Sequence, residues 1–160
     1  MKKLVAALAV LLLVSACGIQ PTVVVPAGPA PTALGPSARA NQLTLYFLVD
    51  GQLTPVVRSW GSPVTPELAV NELFQGPTPA EQKSGYYSLL FPGDGQVSID
   101  TTSVPPTVTI PFAIKPLYLG VDQVVCTTVA AMSAAGLPVD LRGVSVVTPD
   151  SRIGPALCTF

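Results

Sequence analysis

LTLYFLVDGQLTPVVRSWGSPVTPELAVNELFQGP, residues 43–77, decides the fold. Leu43, Leu45, Phe47 and Val49 alternate with Thr44, Tyr46 and Leu48. That is the two-residue period of a strand, so the first set is predicted to face a core and Tyr46 to face outward. Asp50-Gly51 suits a two-residue type I′ turn, in which both central residues take positive φ. Leu53–Ser59 is then expected to return antiparallel. Pro55 cannot donate to a ladder, which puts this strand at an edge or gives it a bulge.

The helix that follows is bounded on both sides. Thr65 is a suitable N-cap, and Pro66 suits the first helical position, where a missing N–H costs nothing. Val70, Leu73 and Phe74 share one face, Gly76 suits a left-handed C-terminal position, and Pro77 blocks continuation. Thr78-Pro79-Ala80-Glu81 has the form of a capping box and predicts a second short helix over Pro79–Ser84, ended by Gly85.

Working outward toward the C-terminus, Gln96–Thr101 and Thr107–Phe112 read as strands joined by a turn at Val104-Pro105-Pro106. Pro111 ends the second of them or places it at an edge. Asp122 is expected to cap a helix over Gln123–Ala135, with Val125, Val129 and Met132 as its inner stripe and Gly136 and Pro138 closing it. Leu141–Val147 reads as a last strand. The order ββααββαβ predicts the α+β class: a single small domain with a mixed or antiparallel sheet and helices packed on one face.

LYFLVDGQLTPVVR (45–58), the helix PELAVNELFQGPTP (66–79) and the GPTP segment placed just after that helix resemble the GerMN domain. That domain is named after a spore-germination protein and occurs in bacterial lipoproteins; the chain looks like the actinobacterial type. The resemblance covers roughly residues 43–147. It implies an α+β fold similar to the ring-building modules of secretion and sporulation machines.

The N-terminal side reads as export signal and tether. Lys2 and Lys3 precede the apolar run Leu4–Val14. This run is about half the ~20 apolar residues needed to cross a bilayer core, and it fits a signal-peptide h-region. It ends in Val14-Ser15-Ala16-Cys17-Gly18, which resembles a lipobox, the site where a cysteine sulfur is joined to diacylglycerol and the preceding peptide is removed. The alternative is an ordinary secretory signal with an incidental cysteine. Gly18–Asn41 carries Pro21, Pro26, Pro29, Pro31 and Pro36 among small residues and has too few large apolar side chains for a core. Extended as polyproline II it would reach roughly 75 Å at ~3.1 Å per residue. The expected division is a signal peptide over 1–16, the lipidated cysteine and linker over 17–41, and the folded domain over 42–160.

In an exported chain the two remaining cysteines, Cys126 and Cys158, are expected to form a disulfide. The alternative is a buried thiol at Cys126 and a free one at Cys158. The bridge would close a loop of roughly thirty residues, worth about 3–4 kcal/mol by chain entropy.

Composition narrows the chemistry. The chain has no histidine, which removes Ser-His-Asp and Cys-His catalysis and the commonest zinc sites. No Gly-rich phosphate loop follows a strand. Asp94, Asp100, Glu72 and Glu81 sit where solvated acids are the default, and Pro92-Gly93-Asp94-Gly95 reads as a reverse turn rather than a calcium loop. Without Lys2 and Lys3 the balance of charge is acidic and no basic run remains, which argues against nucleic acid. No enzyme activity, cofactor or metal is expected.

The expectation is a lipoprotein anchored through Cys17 to the extracytoplasmic face of the cell membrane, with a domain that binds another envelope protein or copies of itself. Tyr46, Trp60, Tyr86 and Tyr87 are the candidate interaction aromatics. The competing expectation is a ligand-binding lipoprotein that uses these aromatics to recognise a cell-wall glycan or small molecule.

Overall fold

The computed structural model describes residues 39–114 and 118–159. The α+β class holds. Strands β1 (Gln42–Val49) and β2 (Gln52–Ser59) form an antiparallel hairpin. Asp50 (φ 50°) and Gly51 (φ 77°) supply its type I′ turn. Helix α1 (Pro66–Gln75) starts at the Thr65 cap, whose side chain accepts from the Leu68 N–H, and closes at Gly76 (φ 81°). Helix α2 (Pro79–Lys83) carries the complete capping box between Thr78 and Glu81. Strands β3 (Ser98–Asp100) and β4 (Thr107–Thr109) follow, then helix α3 (Tyr118–Ala134) and strands β5 (Val144–Val147) and β6 (Arg152–Ala156).

Among the described residues the strands form two sheets: the hairpin, and a mixed sheet in the order β3-β4-β5-β6. Only the β4–β5 pair is parallel, and α3 is the crossover between its strands. One apolar cluster serves both sheets. It includes Leu43, Leu45 and Phe47 from β1, Val70, Leu73 and Phe74 from α1, Val108 from β4 and Val144 and Val146 from β5.

Five expectations are corrected. Tyr46 is 8% exposed and Leu48 fully buried, so β1 is covered on both faces rather than one. Helix α3 lies against the strand edge opposite β2 and bonds to it. Asp122 does not cap α3; it lies inside the helix, and burial pushes its carboxyl above the usual carboxylate range. The inner stripe is also wider than Val125, Val129 and Met132, because Gln123, Val124, Cys126, Thr127 and Thr128 are buried too. β3 and β4 are shorter than expected. The Asp100 carboxylate accepts from the Thr102 and Ser103 N–H groups (2.9 and 3.2 Å) and turns the chain away after β3. Finally, β6 was not expected. It contains Pro155, which an edge strand tolerates. A bulge between Val144 and Val146 accommodates the irregular pairing. Gly143 (φ 95°) is required beside it, because a Cβ there would collide with the Ala156 carbonyl oxygen.

Pro55 sits where its missing N–H costs the ladder nothing. Asn41 accepts from Trp60 across the hairpin (2.8 Å), so odd-numbered residues of β1 turn their backbone groups toward β2 and even-numbered ones turn away. Pro55 pairs with Tyr46, an even residue, and its nitrogen therefore faces the outer edge.

The backbone groups of Tyr46 turn toward α3. Its N–H donates to Thr127 Oγ1 (3.0 Å), and its carbonyl accepts from Gln123 Nε2 (2.9 Å). The same buried amide also donates to Ser88 Oγ (3.3 Å) and accepts from the Leu89 N–H (3.0 Å). Leu48 exchanges two 2.9 Å backbone bonds with Tyr87. Replacing Gln123 by Leu orphans the Tyr46 carbonyl and the Leu89 N–H, at about 1–3 kcal/mol for each buried group. Gln123→Leu is thus expected to lower unfolding free energy by about 2–4 kcal/mol in urea titration, and Thr127→Val by about 1–3 kcal/mol. A loss below about 0.5 kcal/mol for Gln123→Leu contradicts the assignment.

The hairpin is also tied to α2. Arg58 donates to both carboxylate oxygens of Glu81 (Nε to Oε1 2.9 Å, Nη2 to Oε2 2.6 Å) and to the Gly76 carbonyl (3.1 Å). Its guanidinium carbon stands 5.6 Å from the centre of the Phe47 ring. The bonds from Arg58, then those from Thr78, hold the Glu81 carboxyl below its ordinary value of 4.5. A carboxylate with a depressed folded pKa adds stability that is full above the unfolded value and is lost as pH falls through the folded value. The wild-type chain should therefore lose stability relative to Glu81→Gln as pH is lowered below about 4.5. Arg58→Met should cost about 1–3 kcal/mol at neutral pH, between the values for exposed and buried pairs. Parallel pH profiles for wild type and Glu81→Gln would rule this out.

Candidate functional site

The cysteine pair is bonded. Cys126 and Cys158 form a disulfide with a Cα–Cα distance of 4.8 Å. Cys126 is buried on α3, and Cys158 lies just beyond β6, so the bridge fastens the C-terminal tail to the helix that organises the core. Cys17, with the rest of segments 1–16 and 17–38, lies outside the described residues.

The four candidate aromatics separate into different environments. Tyr46 is buried in the hairpin, and burial raises its phenol pKa. Trp60, in the loop after β2, and Tyr86 are half-buried against the core cluster. Tyr87 is 41% exposed while its backbone pairs with Leu48. The Tyr86-Tyr87 pair thus has one ring turned in and one turned out. The structure does not gather the four into one aromatic surface.

A different apolar region is exposed. Leu89 and Leu90 lie against Gly120 near the start of α3, within ordinary van der Waals contact of any Cβ placed there. In sequence, Phe91 and Tyr118 flank this contact, and they are 73% and 90% exposed. Neither was singled out from the sequence. Phe91 precedes a Pro-Gly turn, and Tyr118 falls in a stretch that reads as loop when the helix is started at Asp122.

The acids are occupied or dispersed. Glu81 is held by Arg58, and Asp100 is held by its own turn. Among the described residues no group of three or more Cys, Asp or Glu side chains could hold a metal. The Pro92–Gly95 turn packs on the segment after β4: a Cβ at Gly93 would enter the Phe112 ring, and one at Gly95 would meet Pro111. That close approach explains the two glycines without a ligand.

A groove of about 240 Å³ opens between β1 and the second half of α3, lined by Arg39, Gln42, Thr44, Ala130, Ser133 and Ala134. It begins where the long polar side chains of α3 end. Gln123 and Thr127 reach β1 at Tyr46, but Ala130, Ser133 and Ala134 leave a gap beside Thr44. Thr44 is even-numbered, so its N–H and C=O turn into this gap.

No family model, no curated protein and no solved structure matches the chain. The disulfide is open to direct test. Mass spectrometry of the native chain under non-reducing conditions should find Cys126 and Cys158 in one crosslinked peptide. Reduction should lower stability by about 3–4 kcal/mol, given the sequence separation of 32. Free, alkylatable thiols at both positions before reduction would contradict the bridge.

Proposed function

We propose that this chain is an extracytoplasmic lipoprotein of the GerMN type. Cys17 anchors it to the membrane, and its α+β domain works as a protein-interaction or assembly module. The observation that carries the module reading is the exposure of Phe91 and Tyr118 beside the start of α3. Large aromatic side chains left in water on a closed core are the kind of residue that anchors protein partners. The disulfide supports an oxidising compartment and hence export. The Pro-rich segment before the domain supports a tether that lifts it off a membrane surface. Buried Tyr46 and the half-buried Trp60 and Tyr86 favour a protein surface over a stacking platform for sugars.

Crosslinking of the intact protein in its own membrane, followed by mass spectrometry, tests the reading. The expected result is one dominant adduct, either another envelope protein or a second copy of the chain. Phe91→Ser with Tyr118→Ser should weaken it at least tenfold, and Cys17→Ser should move the protein from the membrane to the soluble fraction. The absence of any specific adduct would overturn the module reading. Membrane retention of Cys17→Ser would overturn the anchor.

A further inference from the structure

We infer that the groove beside Thr44 receives an extended segment of a partner protein, added to β1 as a third strand, with an acidic side chain set against Arg39. This inference rests on the interaction-module reading and names the chemistry of the partner.

β1 pairs with β2 along one edge only. Its even-numbered residues turn their backbone groups away from β2. At Tyr46 those groups bond to Thr127 and Gln123, and at Leu48 to Tyr87. At Thr44 the N–H and the C=O have no hydrogen-bond partner among the described residues. An unpaired donor and acceptor on one strand edge form a template for main-chain addition.

The other edges differ. The outer edge of β2 carries Pro55 and edge strand β6 carries Pro155, residues that blunt pairing. The third outer edge is β3, only three residues long. β1 has no proline, and the small side chains of α3 keep its open stretch accessible.

Size and charge choose the occupant. At about 240 Å³ the groove is smaller than the roughly 300–1,000 Å³ of small-molecule pockets. A main chain with short side chains suits a floor of Ala130, Ser133 and Ala134. The ion pairs among the described residues are Arg58–Glu81 and Arg142–Asp140, which leaves the exposed Arg39 guanidinium available at the rim. Its planar fork matches a carboxylate with two parallel hydrogen bonds.

The test uses the intact, disulfide-bonded chain and three fluorescein-labelled seven-residue Thr/Val peptides that differ in one central residue: Glu, Gln or Lys. The Glu peptide should give saturable anisotropy and shift the Thr44 amide resonance, and the Lys peptide should bind at least tenfold more weakly. Arg39→Glu should reverse that preference. Ala130→Leu, which fills the groove, should abolish binding while keeping the wild-type melting temperature. Equal affinity for all three peptides, no binding by any, or no shift at Thr44 overturns the inference. Crosslinking in the membrane separates the two levels of the reading. A specific adduct that persists in both Arg39→Glu and Ala130→Leu keeps the module reading and removes the groove. No adduct from the wild-type protein removes the module reading itself.

Discussion

The buried amide of Gln123 joins three parts of the chain that share no local sequence. It donates to the carbonyl of Tyr46 in β1 and to Ser88, and it accepts from the Leu89 N–H. With Thr127 it closes the middle of a strand edge that would otherwise be left unpaired in the interior. A buried amide is costly unless its donors and acceptor are used, so this side chain specifies one relative position of helix and hairpin. The rest of the domain is consistent with that position. α1 covers the core side of the hairpin, the mixed sheet contributes to the same apolar cluster, and the disulfide holds the C-terminal tail to α3.

The same device accounts for where β1 is closed and where it is open. A helix can supply strand partners only where its side chains are long and polar enough to reach. On α3 that condition holds at Gln123 and Thr127 and stops at Ala130. The strand is sealed by α3 at Tyr46, by the Tyr87 backbone at Leu48, and left unsealed at Thr44, two residues from Tyr46.

Local chemistry was legible in the sequence, and long-range docking was not. Asp50-Gly51 announces a tight hairpin because few residue pairs tolerate two positive φ angles. Thr65-Pro66 and Gly76-Pro77 bound α1 because each satisfies or ends a helix terminus. The cysteine pair was legible because an exported chain leaves few other uses for two cysteines. Tyr46 was misread because the strand edge it lies on is occupied by a helix whose Thr127, 81 residues away, bonds its N–H, and no alternation within the strand reports that. The start of α3 was misread because Asp122 resembles a cap, whereas the helix is buried on several sides and shows no narrow stripe. β6 was not expected, because Gly154 and Pro155 lie inside it and suit a strand only at an edge. Of the candidate site, the aromatics were legible as residues but not as a surface. Phe91 and Tyr118 flank in sequence the contact of Gly120 with Leu89 and Leu90, a long-range packing that no local pattern announces.

Amide-resolved hydrogen exchange on the intact chain, with no partner added, tests the central claim most directly: that α3 seals β1 at Tyr46 and leaves it open at Thr44. The account predicts that the Tyr46 and Leu48 amides exchange near the rate of global unfolding and that the Thr44 amide exchanges orders of magnitude faster. Slow exchange at Thr44 equal to that at Tyr46, or fast exchange at Tyr46, would contradict it.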